Sequence, residues 1–317
     1  MTSPRPDTPE YRLDVGGAVI ALLCPQPGLA TGLATWFGRE SAGAEPQVTL
    51  TVTVVAHDDV PRFPRSLLTT KRLLDDAGGF DIADGLISGR FDAATGCGEV
   101  RVKAALLEGR LTRIFEQILY QAHASARRRL GKPAWLIHSS AVIAGGHGFL
   151  FVGPSGAGKS TVARLSRGLH VLNDEMNLVR PTGAGWELVG TPFNGTFPDK
   201  APGRAPLRAI LLLEQAGEHG LADAATADAV AALAGEIVPP VGLDELPTTG
   251  TLPAMVDAAG ELAANTTLKV MRFRPDPGFW LTLSSAFGLP AGVATAVTGP
   301  AAAGQVRIDN SPTPGEV

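Results

Sequence analysis

The stretch "HSSAVIAGGHGFLFVGPSGAGKST", residues 138–161, decides the fold, and its two halves carry different information. The right half, Gly153-Pro154-Ser155-Gly156-Ala157-Gly158-Lys159-Ser160, followed by Thr161, fits G-x-x-x-x-G-K-[ST]. Each residue type in that pattern serves a phosphate. Glycines let the backbone curl so that successive N–H groups point at phosphate oxygens. The helix expected after the loop adds its positive end. Lys159 reaches the β- and γ-phosphates, and the Ser160 hydroxyl ligates magnesium. An apolar strand, "FLFV", precedes the loop and "KSTVARLSRG" reads as the helix after it. ATP and Mg2+ are therefore the expected cofactors. The competing reading is a glycine-rich turn with no ligand.

The left half is a strand that turns back on itself. "WLIHSSAVIA" and "GFLFVG" flank Gly145-Gly146 and read as a hairpin. Without a bulge, facing residues should sum to about 291. His138 then falls opposite Gly153, which brings an imidazole to the mouth of the phosphate loop. The alternative is a histidine satisfied by a backbone carbonyl at a strand end. His147, in the turn, reads as a solvent histidine.

Acids follow one helix and one strand later, in "LHVLNDE". Asp174 and Glu175 are expected at the end of the strand beside the phosphate-loop strand. One carboxylate there can hold magnesium, and its neighbour can deprotonate an attacking hydroxyl. The alternative is a pair of turn acids, Asp174 capping the next segment.

The rest of the chain sets the frame. At 317 residues there is room for two domains. The chain is 44% hydrophobic and 18% charged, which suits a globular protein with a sizeable core. A net charge of −4 gives no general attraction to nucleic acid or to an anionic membrane. No apolar run is long enough to span a bilayer, and the N-terminus lacks a signal-peptide pattern, so a cytoplasmic location is expected. Cys24 and Cys97 are too few for a disulfide framework or a zinc set.

Residues 1–10 read as a disordered lead-in, 11–132 as a mainly β (α+β) domain with a connecting helix, 133–290 as the phosphate-loop domain, and 291–317 as a flexible tail. "VTLTVTVV" (48–55) alternates with period two and reads as a strand. "FDIADGLISGRFD" (80–92) reads as a hairpin around Asp84-Gly85. In 106–132, Leu111, Ile114, Phe115, Ile118 and Leu119 recur at three and four, which makes a helix stopped by Gly131. His123 lies on that helix as a surface or packed residue. Arg127, Arg128 and Arg129 are expected to serve the helix end and solvent. Trp186 and Trp280 read as packing residues.

Together these residues resemble the catalytic domain of HPr kinase/phosphorylase, a group related to phosphoenolpyruvate carboxykinase. The resemblance covers about 134–290 and rests on "HSSAV", the hairpin into "GPSGAGKST", and the paired acid in "HVLNDE". It implies an α/β phosphate-loop kinase domain of the HPr kinase/phosphoenolpyruvate carboxykinase type. It further implies Asp174 as the base for the acceptor hydroxyl, His138 hydrogen-bonded near that acid or the γ-phosphate, and Glu175 as a magnesium ligand. The second acid is Glu175 where the bifunctional enzymes have Asp. Their glycine- and arginine-bearing second signature is replaced here by "APLRAILLLEQAGEHGL". The likeness thus runs to offshoots of the group, some of which phosphorylate a hydroxyl on a precursor peptide. Relatives assemble as oligomers, so a homo-oligomer is a further expectation.

Transfer needs positive charge on the γ-phosphate beyond Lys159. Residues 190–208 supply Lys200, Arg204 and Arg208 in a Pro/Gly-rich loop, with Asn194 and Thr196 placed to meet a substrate backbone. The alternative is a solvated surface loop. Arg272 and Arg274 share one face of a strand, where a solvated face is the plain reading. The expected function is an ATP- and magnesium-dependent kinase acting on a hydroxyl, a serine of a peptide or small protein. The alternatives are a nucleotide-binding sensor or scaffold without transfer, and a kinase for a small hydroxylated molecule.

Overall fold

A computed structural model of the chain describes residues 8–38, 41, 43–55, 72–74, 79–83, 85–104, 112–238 and 251–298. The first part holds β1 (Glu10–Val15), β2 (Ala18–Leu23), α1 (Leu29–Phe37), β3 (Val48–Val55), β4 (Arg72–Leu74), β5 (Phe80–Ala83), β6 (Ile87–Asp92), β7 (Cys97–Lys103) and α2 (Thr112–Leu130). The strands form one mixed sheet in the order β1-β2-β3-β7-β6-β5-β4, with β3 parallel to both β2 and β7. The alternation in β3 has a physical outcome: Val48, Leu50 and Val52 are buried while the threonines between them stay half-exposed. β5 and β6 form the expected hairpin, pairing Phe80 with Phe91; Asp84 of its turn lies outside the described residues. Phe115, Ile118 and Leu119 bury one face of α2; Leu111 lies outside the described residues, as do residues 1–7 and 299–317.

The second part holds β8 (Trp135–Ala144), β9 (His147–Val152), α3 (Lys159–Leu165), β10 (His170–Asn173), β11 (Met176–Thr182), β12 (Gly185–Gly190), β13 (Arg204–Gln215), β14 (Gly220–Asp223), α4 (Thr226–Glu236), α5 (Thr251–Asn265), β15 (Thr267–Phe273), α6 (Phe279–Phe287) and α7 (Ala291–Thr298). These eight strands make a second mixed sheet. β8 and β9 pair from Ala144–His147 back to Ser139–Val152, the expected register throughout. β8 pairs with β9 and β11, β11 with β12, β12 with β13, and β13 with β9, so the pairings close a ring of five strands.

Both faces of the central strands are covered, which explains their unbroken apolar runs. In β9, Phe149 and Phe151 face the cluster made with α3, α6 and α7, while Leu150 and Val152 face the one made with α4 and α5. Trp280 is fully buried in the first, and its indole Nε1 donates to Ser166 Oγ at 3.0 Å. Trp186 is buried in the second.

Three expectations are corrected here. The strand carrying the acids, β10, does not lie beside the phosphate-loop strand: β8 stands between them, and the other neighbour of β9 is β13. The hairpin keeps β9 on one edge of β8, so β10 takes the opposite edge. The expected tail also begins too early. Residues 291–298 form α7, whose Val293 and Val297 are buried in the core, because small side chains let α7 approach the turn at Gly168 closely. At the other end, Glu10 of the expected lead-in opens β1.

The two parts share a core. Leu136, Met176, Leu178, Val189 and Phe193 join the cluster under the first sheet, and Arg180 Nη1 donates to Gly16 O in the β1–β2 turn at 2.6 Å. His123 of α2 is buried there, its Nε2–H donating to Val15 O at 3.2 Å. Burial pushes its pKa down to about 3, against an ordinary value of about 6.5. The folded chain therefore refuses a proton that the unfolded chain accepts. Stability is lost as pH falls from about 6.5 towards 3, by about 1.4 kcal/mol per unit. His123→Gln keeps a donor for Val15 and removes the titration. Between pH 6.5 and 5 the wild type should lose about 2 kcal/mol more than the variant in urea unfolding; equal losses would refute the assignment.

Candidate functional site

The phosphate loop leaves β9 after Val152 and enters α3 at Lys159. Gly158 has φ of 108°, and a Cβ there would lie 2.6 Å from Phe273 Cζ, so only glycine fits. Gln215, at the end of β13, donates to Gly156 O at 2.7 Å and holds the loop from the side.

Where β9 ends, β8 continues. Ser139, opposite Val152, is the last residue of β8 that pairs with β9, and one residue further back His138 faces the loop. Beyond it, Ile137 bridges Ile237 and Leu136 O accepts from Val238 N, so the chain leaving α4 takes over the edge that β9 vacates. His138 sits in the gap between these two neighbours. Its other edge pairs with Met176 of β11, which places the β10–β11 break, Asp174-Glu175, alongside. Asn173 shapes that break: its Nδ2 donates to Thr191 O and Phe193 O, and its Oδ1 accepts from Glu175 N at 2.9 Å.

One cavity of about 360 Å³ results, lined by His138, Lys159, Ser160, Asp174, Glu175 and Thr196 together with Pro154, Ser155, Gly156, Gly158 and Thr161 of the loop. Gly153 and Ala157 build the loop without lining the cavity. Asp174 is 1% exposed. Its carboxylate accepts from Thr196 Oγ1 at 2.6 Å, Thr196 N at 3.2 Å and Phe197 N at 3.1 Å. Gly195 makes that approach possible, because a Cβ there would lie 1.8 Å from Asp174 Oδ1.

An unexpected carboxylate completes the site. Glu236 is the last residue of α4; its Oε2 lies 3.1 Å from His138 Nδ1 and 3.4 Å from Lys159 Nζ. On the other side, His138 Nε2 is 3.7 Å from Glu175 Oε1. Lys159 is buried and also donates to Gly153 O and Pro154 O. No local signal marks Glu236: the bridge between Ile137 and Ile237 brings it in. It occupies the ammonium that a phosphate would claim, so Glu236→Gln is expected to tighten ATP–magnesium binding about tenfold in a fluorescence titration. Weaker binding would show that Glu236 assists the ligand instead.

Four residues expected on the phosphate and substrate side, Lys200, Asn194, Arg204 and Arg208, lie elsewhere. Lys200 Nζ donates to Pro192 O, Phe193 O and Asn194 Oδ1, at 2.7, 2.5 and 3.1 Å. Burial lowers its pKa to about 8. It clamps its own loop and does not line the cavity. Asn194 is turned to the first sheet's side, where its backbone N–H donates to Glu116 Oε1 at 3.0 Å and its Nδ2 to Trp36 O at 3.3 Å. Arg204 is exposed at the start of β13, 3.9 Å from Glu187. Arg208 lies over the Phe287 ring, while Arg272 and Arg274 pair with Glu214 and Asp276. Among the described residues, Lys159 is the only lysine or arginine lining the cavity.

The donor set suits a phosphate with a divalent cation. Two carboxylates facing a phosphate loop repel a bare polyphosphate and need a cation between. Among the described residues no group of three or more His, Cys, Asp or Glu side chains is placed to hold a metal. Magnesium commonly keeps waters and phosphate oxygens as ligands and takes only one or two from protein; Ser160 and Glu175 would be those two. Comparison with protein-family models found no match, and comparison with curated proteins found none. No described helix is long and apolar enough to cross a membrane.

Proposed function

We propose that the chain is an ATP- and magnesium-dependent phosphotransferase of the HPr kinase type, acting on a hydroxyl carried by a serine of a peptide or small protein. One observation carries this reading: Lys159, Ser160, His138, Asp174 and Glu175 line a single cavity. In this reading ATP supplies the transferable phosphoryl group. The loop N–H groups and Lys159 hold its phosphates, and Ser160 and Glu175 hold magnesium. Asp174 takes the acceptor hydroxyl proton, and His138 donates a hydrogen bond from Nε2 towards the transferring group. Thr196 already places a hydroxyl on Asp174, at 2.6 Å, the contact an acceptor serine would make.

The test is mass spectrometry of candidate peptides and small hydroxylated molecules incubated with the chain, ATP and magnesium. Gain of one phosphoryl group on an acceptor supports transfer. A second reading, a nucleotide sensor without transfer, draws on the occupied state of Asp174, whose carboxylate is already met by three donors. Tight ATP binding with no phosphorylated acceptor and no released phosphate would favour it.

A further inference from the structure

A second cavity, of about 410 Å³, lies where α2, the start of β8 and α5 meet, apart from the phosphate loop. One stripe of α2 walls it: His123, Ala124 and Arg127 are spaced at three and four, so they share a helix face. Trp135, Val238 and Met255 close the other side, and the lining is mainly apolar. No Asp or Glu lines it, whereas Arg127, Arg128 and Lys132 do.

Arg127 is the unusual group. It is 6% exposed. Its Nη1 donates to Gly16 O at 3.0 Å and its Nη2 to Pro133 O at 3.4 Å, while Nε–H is buried with no partner. Among the described residues it makes no ion pair. Its charged surroundings are Asp14 and Arg180; Arg180 itself pairs with Glu187. A buried guanidinium is ordinarily matched by a carboxylate with good geometry. Here the charge is left over, at the wall of an apolar chamber of ligand size.

We propose that this cavity binds a small carboxylate with an apolar body, its anionic head on Arg127 and its body against Trp135, Val238 and Met255. A phosphate dianion fits less well. It is strongly hydrated and needs several converging donors, whereas the one buried guanidinium here is partly committed and sits in an apolar wall, with Arg128 and Lys132 exposed to solvent, which suits a monoanion. Lys132, exposed at the rim, adds attraction of the same sign.

The test is calorimetric titration of the full chain with decanoate, decan-1-ol and decylammonium, below micellar concentrations. Decanoate should saturate one site, with decanol and decylammonium at least about tenfold weaker. Arg127→Met should erase the preference of decanoate over decanol. Because Arg127 also holds the β1–β2 turn, a second variant guards the result. Ala254→Trp, at an exposed position of α5 on the cavity wall, puts an indole into the chamber and leaves Arg127 itself unchanged. It should abolish decanoate binding with an unchanged melting temperature. Absence of saturable decanoate binding, equal binding of decylammonium, or undiminished binding by a folded Ala254→Trp chain would each overturn the proposal.

Discussion

Replacing Asp174 with asparagine is expected to lower phosphoryl transfer by roughly 10²–10⁴-fold while changing ATP affinity by less than about threefold. The expectation follows from position. Asp174 lies at the break between β10 and β11, in one cavity with Lys159 and Ser160. It makes none of the loop contacts that would hold a nucleotide. Asparagine keeps the shape and one acceptor oxygen but is too weak a base to take a proton. The measurement is single-turnover transfer at saturating ATP, beside a separate binding titration.

Asp174 also anchors residues 196–197, so its loss loosens the loop by about 1–2 kcal/mol. Thr196→Val separates the two roles. It removes the 2.6 Å hydroxyl donor to Asp174 and leaves the carboxylate in place. In the proposed reaction the threonine hydroxyl competes with the acceptor hydroxyl for the same oxygen, so the valine variant should keep most of its transfer rate. Equal losses in the two variants would assign Asp174 to loop anchoring and remove it from proton transfer.

What could be read from sequence was local. The β8–β9 register followed from a Gly-Gly turn between two apolar runs, and it located His138 beside the loop before any contact was known. The face of α2 followed from spacing alone. Distant partners left no such trace. Glu236 is 77 residues from Lys159 in the chain, and the pairing of Leu136 and Ile137 with residues 237–238 brings it in. Lys200 carries the charge expected of a phosphate ligand, yet burial among three oxygens turns it into a clamp. The β11–β12 hairpin went unread because Pro181 interrupts its strand pattern. The Ala-rich segment at 291–298 lacks large apolar groups, but two valines facing the core suffice when the backbones approach closely.

The second large effect is expected at Glu116, a residue of α2 that no motif marks. Its side chain is wholly buried, and burial raises its pKa. It accepts from Asn194 N at 3.0 Å and Asn194 Nδ2 at 3.3 Å, from Tyr120 OH at 3.3 Å, and from Trp36 Nε1 at 3.5 Å. Asn194 in turn accepts from Lys200, and two residues later the same loop grips Asp174. Glu116 thus ties α1 and α2, which belong to the first sheet, to the loop that positions the proposed base. Glu116→Ala strands those donors and removes the carboxylate that offsets the charge of Lys200. A loss of about 3–5 kcal/mol is expected in urea unfolding, with slower transfer at saturating ATP in whatever chain remains folded. Lys200→Met supplies the counterpart. If the two groups form one buried unit, the double variant should be less destabilised than the sum of the single ones, by about 1–3 kcal/mol. Additivity within about 0.5 kcal/mol would show that Glu116 and Lys200 act separately, and that the first sheet does not hold the loop through them.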